Sequence, residues 1–361
     1  MSKPAVVFGG PSPEHDISIL TGLQAARALV NAGRDVDAIY WSKTGQWFLV
    51  SPSSEGGDFA DGVPARARPL RFVAEPGGGF HLKKKPLDVS AVLNACHGGP
   101  GEDGTLQGLL DLAGLRYTGP DAAASALGMD KLAFGGLMVS AGLPSLPRIL
   151  VDPEVVPDFA GPYIVKPRYG GSSIGIVVVE DHATAVALLG SSPHMREGGV
   201  LEPFLSGSRD LNIAVRTYPA LETSAIEAPH RDGDAIYDYS QKYLVGEGGM
   251  DAARRQLPAE LPDGTTRHIE TMARSVARLA RLRSVARIDF LAHDDTVYVN
   301  EVNTIPGSLA AYLWVEPVVA RARLLGDMLD EVLAGPARQY TTAGADGTAL
   351  RSAGTIASKL G

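Results

Sequence analysis

Two short segments near residue 300 carry side chains that suit a divalent cation. The first reads Arg287-Ile288-Asp289-Phe290, and the second contains Glu301 and Asn303. If both are strands, alternate side chains share a face, so Asp289 lies beside Arg287 and Glu301 lies beside Asn303. Carboxylate and amide oxygens with water suit Mg²⁺, which usually also holds substrate phosphates. The alternative is a strand pair whose polar face is exposed to solvent and binds no ion.

A loop rich in glycine and serine follows the predicted strand that ends at Lys166, and it extends to Gly175. It offers backbone N–H groups, two hydroxyls and one cation to a polyphosphate, although an ordinary turn is the alternative. The sequence contains no G-x-x-x-x-G-K-[ST] pattern. Residues 9–14 also lack the glycine spacing of a dinucleotide-binding loop, so both of those nucleotide sites are excluded.

Two further loops each follow a predicted strand and precede a predicted helix. Residues 9–18 carry Glu14 and His15, and residues 97–104 begin with His97. Ligands bind at this edge of open α/β sheets, so we expect Glu14 and His15 to face His97. A purely structural role is the alternative for each of these residues taken alone.

The elements that position these loops follow from hydrophobic patterning. Strands at 5–8, 36–40 and 89–96 alternate with helices at 17–30 and 106–113, which predicts βαβ units on a parallel sheet. Residues 51–86 predict a surface excursion with a hairpin, and the turn at 118–120 predicts a boundary. The later elements are strands at 163–166, 174–179, 199–204, 211–217, 224–228, 285–291 and 296–301, helices at 130–141, 182–189, 266–282 and 317–333, and a polar loop at 231–262.

Composition bounds the class of protein. The 361 residues include 33 basic and 41 acidic side chains, a net charge of −8, which argues against nucleic-acid binding. The apolar runs are too short to cross a bilayer, and the first residues read as a strand and not as a signal peptide. We therefore expect a cytoplasmic protein with no membrane contact. The single cysteine, Cys96, excludes an internal disulfide and is expected to be buried.

Seven motifs, in family order over about residues 5–315, resemble those of the D-alanine:D-alanine ligases of the ATP-grasp superfamily. They lie at 9–18, 97–108, 117–119, 125–131, 171–175, 237–243 and 287–307, the last running from Arg287-x-Asp289-Phe290 to Asn303-Thr304-Ile305-Pro306-Gly307. The resemblance implies an α/β and α+β chain with the ATP-grasp fold behind an N-terminal parallel-sheet (pre-ATP-grasp) domain.

It also implies four segments. These are an N-terminal α/β substrate-binding domain (1–120), a small central ATP-grasp domain (121–207), a C-terminal ATP-grasp domain with the metal site (208–335) and a flexible tail (336–361). The implied reaction joins two D-alanines with ATP through an acyl phosphate, for peptidoglycan synthesis. The implied partners are small amino-acid substrates and, as in many family members, a second copy of the chain in a homodimer.

The resemblance further implies roles for individual residues. Two Mg²⁺ ions, for which Mn²⁺ is an alternative, are held by Asp289, Glu301 and Asn303. The phosphates are contacted by Lys131, Lys166, Ser173 and Lys242. The adenine pocket is lined by Glu202, Phe204 and Leu205. Glu14 and His97 meet the first substrate, Ser172 and Tyr243 link to Glu14, and Arg287 with the Gly307 N–H stabilises the tetrahedral oxyanion. Loss of one oxyanion donor typically costs about 10²- to 10³-fold in rate.

Three departures from the family pattern stand out. The ribose-binding acid corresponds to Asp210, one residue later than usual, and Tyr169-Gly170 replaces a charged pair. Tyr312 occupies the position of a serine that holds the second substrate's carboxylate. A ligase with a different second amino acid or amine therefore remains an alternative, and a non-catalytic nucleotide-binding regulator is another. Tyr243 favours an amine acceptor, because ester-forming relatives replace its loop.

Overall fold

The computed structural model describes residues 2–230 and 255–356. Its strands are β1 (Lys3–Gly9), β2 (Asp37–Trp41), β3 (Trp47–Val50), β4 (Arg68–Val73), β5 (Gly79–Leu82), β6 (Lys85–Pro86), β7 (Val89–Asn94), β8 (Ile149–Leu150), β9 (Tyr163–Pro167), β10 (Val177–Val179), β11 (Gly199–Pro203), β12 (Arg209–Arg216), β13 (Glu222–Pro229), β14 (Arg255–Gln256), β15 (Val285–His293) and β16 (Thr296–Asn303). Its α-helices are α1 (His15–Asn31), α2 (Gly99–Glu102), α3 (Thr105–Ala113), α4 (Ala122–Met129), α5 (Lys131–Ser140), α6 (His182–Ser191), α7 (Asp263–Leu279), α8 (Arg321–Ala334) and α9 (Thr348–Ser352).

The first sheet has the strand order β6-β5-β4-β3-β2-β1-β7. Strand β1 pairs in parallel with both β2 and β7, as the alternation of strands and helices predicts. The predicted surface excursion is larger than a hairpin: β3 to β6 extend the sheet with antiparallel strands. In β4, Arg68 and Arg71 are exposed while Leu70 is buried, because one face of an antiparallel extension is able to remain in water.

The centre of the first sheet is buried on both faces. Ala5, Val6, Val7 and Phe8 have no exposed surface, which explains why β1 reads as a continuous apolar run. Helix α1 packs against β1 so closely that a Cβ on Gly22 would lie 2.4 Å from the Cβ of Phe8. The carboxyl end of β1 and the start of α1 therefore have a fixed relative position.

The second sheet is antiparallel, with the order β10-β9-β11-β8. Strand β10 begins at Val177 and not at Ile174 as predicted, because Ser172, Ser173 and Gly175 have positive φ and keep the preceding residues in a loop. Helix α5 begins after Asp130, whose carboxylate accepts the N–H groups of the helix's first turn.

The third sheet, in the order β14-β13-β12-β15-β16, is also antiparallel. Helix α7 covers it with an apolar face that includes Ile269, Met272, Ala273 and Val276. Strand β14 lies within the segment that we expected to be a polar loop. Residues 231–254 of that segment lie outside the described residues.

Two smaller expectations are also testable on the structure. Cys96 is fully buried, as predicted, and burial raises the pKa of its thiol. Residues 336–356, the described part of the expected tail, contain helix α9 and an ion pair of 3.4 Å between Arg338 and Asp111.

Across residues 2–230 and 255–356, none of the helices is by itself both long and apolar enough to cross a membrane. Helices α4 and α5 meet that criterion only when they are taken together, and they are bent by 95° where they meet.

Candidate active site

Glu14 lies where the two N-terminal loops and the Gly/Ser loop converge. Its side chain is packed so closely that a Cβ on Gly98 would lie 2.3 Å from Glu14 Oε2, and one on Gly171 would lie 3.0 Å away. The Ser172 hydroxyl donates to Glu14 Oε1. Gly98 has a φ of 60°, a conformation that favours glycine. Glycine therefore allows three separate loops to surround one carboxylate.

His97 is buried, and the protein engages both of its ring nitrogens. Nδ1 donates to the Ile305 carbonyl over 2.7 Å, and Nε2 accepts from the Thr21 hydroxyl at 2.8 Å. These partners define a neutral ring, and burial lowers the pKa of His97, although Glu14 opposes the shift. His97 therefore connects the N-terminal loops to the segment after β16.

His15 does not face His97 across a cleft. Its Nδ1 donates to the Gly10 carbonyl over 2.6 Å, and its Nε2 lies 3.1 Å from the Tyr40 hydroxyl. The expectation that His15 faces His97 is wrong, because α1 begins at His15 and the helix directs this side chain against β2. Glu14 alone projects toward the other loops.

Lys131 connects the Gly/Ser loop to the third sheet. Its Nζ donates to the Gly170 carbonyl over 2.5 Å and lies 3.8 Å from Glu301 Oε2. Burial lowers the pKa of Lys131, and the Glu301 carboxylate partly opposes this. Ser173 follows in the same loop with a φ of 58°. Lys131, at the start of α5, therefore lies beside a loop that carries serine hydroxyls, and the two together are able to bind a phosphate.

Lys166 and Glu202 form a buried ion pair of 2.8 Å. Arg148 Nε lies 2.9 Å from the other oxygen of Glu202, and Lys166 Nζ also donates to Asn300 Oδ1 over 3.1 Å. Burial acts to raise the pKa of Glu202, but Arg148 and Lys166 lower it overall. The Glu202 side chain has no exposed surface, so in this structure its carboxylate is a counter-ion and does not line an open pocket.

Phe204 and Leu205 follow β11 and are half-buried, and the Phe204 N–H donates to the Pro162 carbonyl over 2.9 Å. Asp210 lies in β12, opposite Leu291 of β15. These three residues therefore lie on or next to the connection between β11 of the second sheet and β12 of the third.

Arg287, Asp289, Glu301 and Asn303 share one face of the third sheet. Asp289 lies directly opposite Glu301, and Arg287 lies directly opposite Asn303. Arg287 binds Asp289 through two hydrogen bonds of 2.6 and 2.7 Å, and the Asn303 amide donates to Asp289 over 3.0 Å. Burial acts to lower the pKa of Arg287, but Asp289 raises it well above the usual value.

This arrangement supplies two carboxylates and one amide oxygen on adjacent strands. Directly opposed residues of neighbouring strands lie about 5 Å apart, which is within reach of one or two small cations. Among residues 2–230 and 255–356, no group of three or more His, Cys, Asp and Glu side chains forms a metal site. The oxygen-bearing side chains on this face are thus two carboxylates and one amide, which are ligand types that suit a hard cation retaining water.

Tyr312 contacts a buried carboxylate that the sequence analysis did not identify. Its hydroxyl donates to Glu227 Oε2 over 3.2 Å, and the same oxygen accepts from the Asn212 amide over 3.1 Å. Arg255 lies 2.9 Å from Glu227 Oε1, and its guanidinium stacks 4.6 Å from the centre of the Tyr312 ring. Burial raises the pKa of Tyr312, so its hydroxyl keeps its proton.

The segment from Thr304 to Gly307 is held by the N-terminal loops. Glu102 Oε1 accepts the Ile305 N–H over 2.8 Å and the Thr304 hydroxyl over 3.2 Å. Gly307 begins a 3₁₀ turn that ends at Leu313 and includes Tyr312. The structure therefore brings the expected oxyanion donor, Gly307, close to the expected first-substrate loops.

Lys242 and Tyr243 lie outside the described residues. The residues that sequence reasoning missed are Thr21, Arg148, Glu227 and Arg255, and Glu102 was noted only as part of a motif. Glu227 carried a signal, because it is one acidic residue in the otherwise apolar run Ala225-Ile226-Glu227-Ala228. Arg148 carried none, since an arginine next to a proline is typical of an exposed loop.

Sequence profiles of one family cover most of the chain. The profile described as D-ala D-ala ligase N-terminus matches residues 3–120, and that described as D-ala D-ala ligase C-terminus matches residues 148–325. The D-alanine–D-alanine ligase of Mycobacterium sp. (strain JLS) is 34% identical over 364 residues, which cover 92% of this chain and 96% of that protein. The D-alanine–D-alanine ligase of Prochlorococcus marinus (strain MIT 9303) is 32% identical over 348 residues, with 90% and 96% covered.

Solved structures show the same fold. D-alanyl-alanine synthetase A from Vibrio cholerae superposes with a TM-score of 0.77 at 22% identity, covering 93% of this chain and 100% of that one. The VanG D-Ala:D-Ser ligase from Enterococcus faecalis superposes with a TM-score of 0.74 at 22% identity, covering 92% of this chain and 99% of that one. The fold is thus the ATP-grasp fold of carboxylate-amine ligases, as expected. The chain belongs to the D-alanine:D-alanine ligase family.

Proposed function

We propose that the protein is an ATP- and Mg²⁺-dependent ligase that joins two D-alanine molecules through an acyl phosphate. The observation that carries this proposal is the convergence of two sites. Glu14 and Ser172 lie in contact on one side, and Arg287, Asp289 and Glu301 share a sheet face on the other. Lys131 connects the two through Gly170 and Glu301. One substrate is thereby held between a loop carboxylate and a cation-binding face.

In the first step, the carboxylate of one D-alanine attacks the γ-phosphorus of ATP and ADP leaves. Glu14 receives the substrate's ammonium group, and His97 supports it as a neutral neighbour. Lys131, Lys166, Ser173 and Lys242 bind the phosphates. Phosphoryl transfer depends on positioning and on charge neutralisation, which is what a loop of cations and hydroxyls supplies.

Asp289, Glu301 and Asn303 fit a hard divalent cation by their chemistry, since they present oxygen ligands on one sheet face. We infer two Mg²⁺ ions at this face, and Mn²⁺ suits the same oxygens. When bound, such ions neutralise the charge of the transferred phosphoryl group. Asp289 would hold such an ion through oxygens that here accept from Arg287, and the Arg287 guanidinium would then be available to the substrate.

In the second step, the neutral amine of the second D-alanine attacks the acyl carbon, the C–O bond to phosphate breaks, and the released phosphate takes the proton that the amine loses. Arg287 and the Gly307 N–H stabilise the oxyanion of the tetrahedral intermediate. Ser172 and Tyr243 connect to Glu14 and close the loop over the reacting groups. Exclusion of water at this point prevents hydrolysis of the acyl phosphate.

Phe204, Leu205 and Asp210 form the adenosine end of the proposed ATP site. Phe204 and Leu205 supply half-buried apolar surface, and Asp210 binds the ribose hydroxyls. For Glu202 the buried pairing with Lys166 and Arg148 indicates a role in fixing Lys166. The dipeptide product belongs to peptidoglycan precursor synthesis in the cytoplasm, and the homodimer remains a prediction.

A second candidate function differs only in the acceptor. The one proton of the Tyr312 hydroxyl is donated to Glu227, so Tyr312 does not offer the acceptor carboxylate the donor that a serine would. The Tyr312 ring, stacked by Arg255, also fills space beside Arg287. This observation favours a ligase that uses D-alanine first and another small amino acid or amine second.

The experiment measures phosphate release from ATP and Mg²⁺ with D-alanine alone, and reads product masses in the same tube beside a panel of other amino acids. We expect release together with D-alanyl-D-alanine. Release only when a different amine is present would support the second candidate, and Tyr312→Ser would then increase the use of D-alanine as acceptor, with Tyr312→Phe as control. Absence of release with every amino acid would overturn both functions.

A further inference from the structure

The turn that carries Gly307 has an unusual backbone. Ser308, Leu309 and Ala310 all have left-handed conformations, with φ of 50°, 51° and 49°. Side chains with a Cβ disfavour this conformation, and three such residues in succession persist only where the surroundings determine the backbone. The direction of the Gly307 N–H therefore depends on the groups that hold this turn.

Two side chains from the N-terminal part hold the chain on either side of Gly307. Glu102 accepts from Thr304 and Ile305 before Gly307. After Gly307, the Ser308 N–H donates to the Thr21 hydroxyl oxygen over 3.2 Å. Both residues are buried, so water does not replace these contacts without a cost.

The same two side chains contact the first-substrate loops. Glu102 Oε2 accepts the Gly98 N–H over 3.0 Å, and Gly98 packs directly on Glu14. The Thr21 hydroxyl donates to His97, whose other nitrogen holds the Ile305 carbonyl. Glu102 and Thr21 thus join the loops around the first substrate to the turn around the acyl carbon.

We propose that Glu102, assisted by Thr21, is a positioning residue that sets the direction of the Gly307 N–H relative to the substrate bound at Glu14. This inference rests on the proposed function of Gly307 as an oxyanion donor. Glu102 acts through the Thr304–Ile305 backbone and does not itself contact the reacting atoms. Its loss therefore impairs attack of the amine on the acyl phosphate and largely spares formation of the acyl phosphate.

The test separates the two chemical steps in Glu102→Gln. The amide retains the size of the side chain but directs an NH₂ group at one of the backbone donors. ADP formation in the first turnover, followed by rapid chemical quench, reports the first step, and dipeptide formation reports the second. We expect dipeptide formation to fall about 100-fold, the typical effect of losing one oxyanion donor, and the ADP burst to change less than about threefold.

Asp111→Asn is the matched control. Asp111 is equally buried in the N-terminal part and pairs with Tyr117 and Arg338, away from the turn. A loss that is merely structural affects both steps equally in both variants. If Glu102→Gln does not fold, Thr21→Val removes the contact at the other end of the turn, and we expect the same selective loss at about tenfold.

The outcomes distinguish the inference from the function on which it rests. If the wild-type protein forms the dipeptide, the positioning role is overturned by either of two results in Glu102→Gln and Thr21→Val. One is equal slowing of both steps, and the other is no slowing of either. A wild-type protein that forms ADP and then couples another amine would change the acceptor alone, and the same variants are then measured with that amine. A wild-type protein without an ADP burst would overturn the proposed function itself.

Discussion

Asp289 shows how one carboxylate serves two purposes. In the described structure it neutralises buried Arg287 through two hydrogen bonds, and it lies directly opposite Glu301, with which it would share a cation. Removing Asp289 therefore leaves a buried guanidinium unpaired, a change that is strongly destabilising in proteins. Glu301 is more exposed and is the better residue for testing the metal site.

We predict that Glu301→Gln lowers kcat at least about 100-fold and raises the Mg²⁺ concentration needed for half-maximal rate. The reason is that charge stabilisation by a bound ion is worth several kcal/mol in the transition state. Steady-state kinetics across a Mg²⁺ titration measures both quantities. The control is Asp295→Asn, the same loss of charge at the exposed tip of the β15–β16 hairpin. Equal effects in the two variants would refute the metal assignment.

Glu102 makes stability depend on pH. Burial, with the Glu14 carboxylate adding to it, raises the pKa of Glu102 from 4.5 to about 7. Between these values the folded chain retains a proton that the unfolded chain releases, so the contribution of Glu102 to the free energy of unfolding falls as pH rises through this window. Glu102→Gln lacks this titration. Between pH 5 and pH 8 we expect the free energy of unfolding of the wild-type protein, measured in urea, to fall by roughly 1 to 3 kcal/mol relative to that of Glu102→Gln. If the two proteins gave parallel curves of unfolding free energy against pH, this would contradict the prediction.

Single positions differ in how far the sequence predicts them. The family resemblance predicts that Ser172 links to Glu14, and the Ser172 hydroxyl does donate to that carboxylate. His15 was placed incorrectly, since the direction of its side chain depends on Gly10 and Tyr40, which surround it in the fold. The adenine-pocket role of Glu202 stays a prediction. Arg148, which pairs with Glu202, gave no signal in the sequence.

The elements around the site are joined through Asp130. Its carboxylate caps α5 by accepting from Leu132 and Ala133, and it also binds Arg168 at the start of the Gly/Ser loop. The helix that carries Lys131 and the loop that carries Ser173 therefore share one anchor. A capping side chain thus also fixes the proposed phosphate site.

Packing of α1 on β1 is tested by Gly22→Ala. The added Cβ would lie 2.4 Å from Phe8, so helix and strand must separate. We expect the free energy of unfolding to fall by up to about 2 kcal/mol, since overpacking typically costs about 1 to 3 kcal/mol and the gain in helix propensity offsets about 1 kcal/mol. Gly136→Ala in α5 is the matched control. Nothing lies within 4 Å of the added Cβ, so we expect a small increase in the free energy of unfolding. Urea unfolding measures both, and equal changes would contradict the close approach.

Secondary structure was predicted best where patterning is strong. The βαβ order of β1, α1 and β2 follows from alternating apolar runs, and the structure confirms it. The antiparallel extension β3 to β6 was underestimated, because short half-exposed strands resemble loops in sequence. The late start of β10 depends on positive φ values at Ser172, Ser173 and Gly175, which only the packed loop determines.

Three sheets surround the site in the molecule as a whole, and the connection between the first and the third is direct. Arg283 donates to the carbonyls of Tyr117 and Gly119, and the Gly119 N–H donates to Ser284. The loops around Glu14 and the sheet face that carries Asp289 thus belong to different sheets with a direct junction. The limits of the three domains remain predictions, as do the roles of Lys242 and Tyr243.

The central claim is that the carboxylate of D-alanine is activated as an acyl phosphate. D-alanine labelled with ¹⁸O in its carboxylate, incubated with the protein, ATP and Mg²⁺, tests it directly by mass spectrometry of the released phosphate. Because the C–O bond breaks when the amine attacks, we predict that one ¹⁸O atom appears in each phosphate. Three remain in the dipeptide, one in the peptide carbonyl and two in the free carboxylate. Unlabelled phosphate formed together with dipeptide would contradict the account.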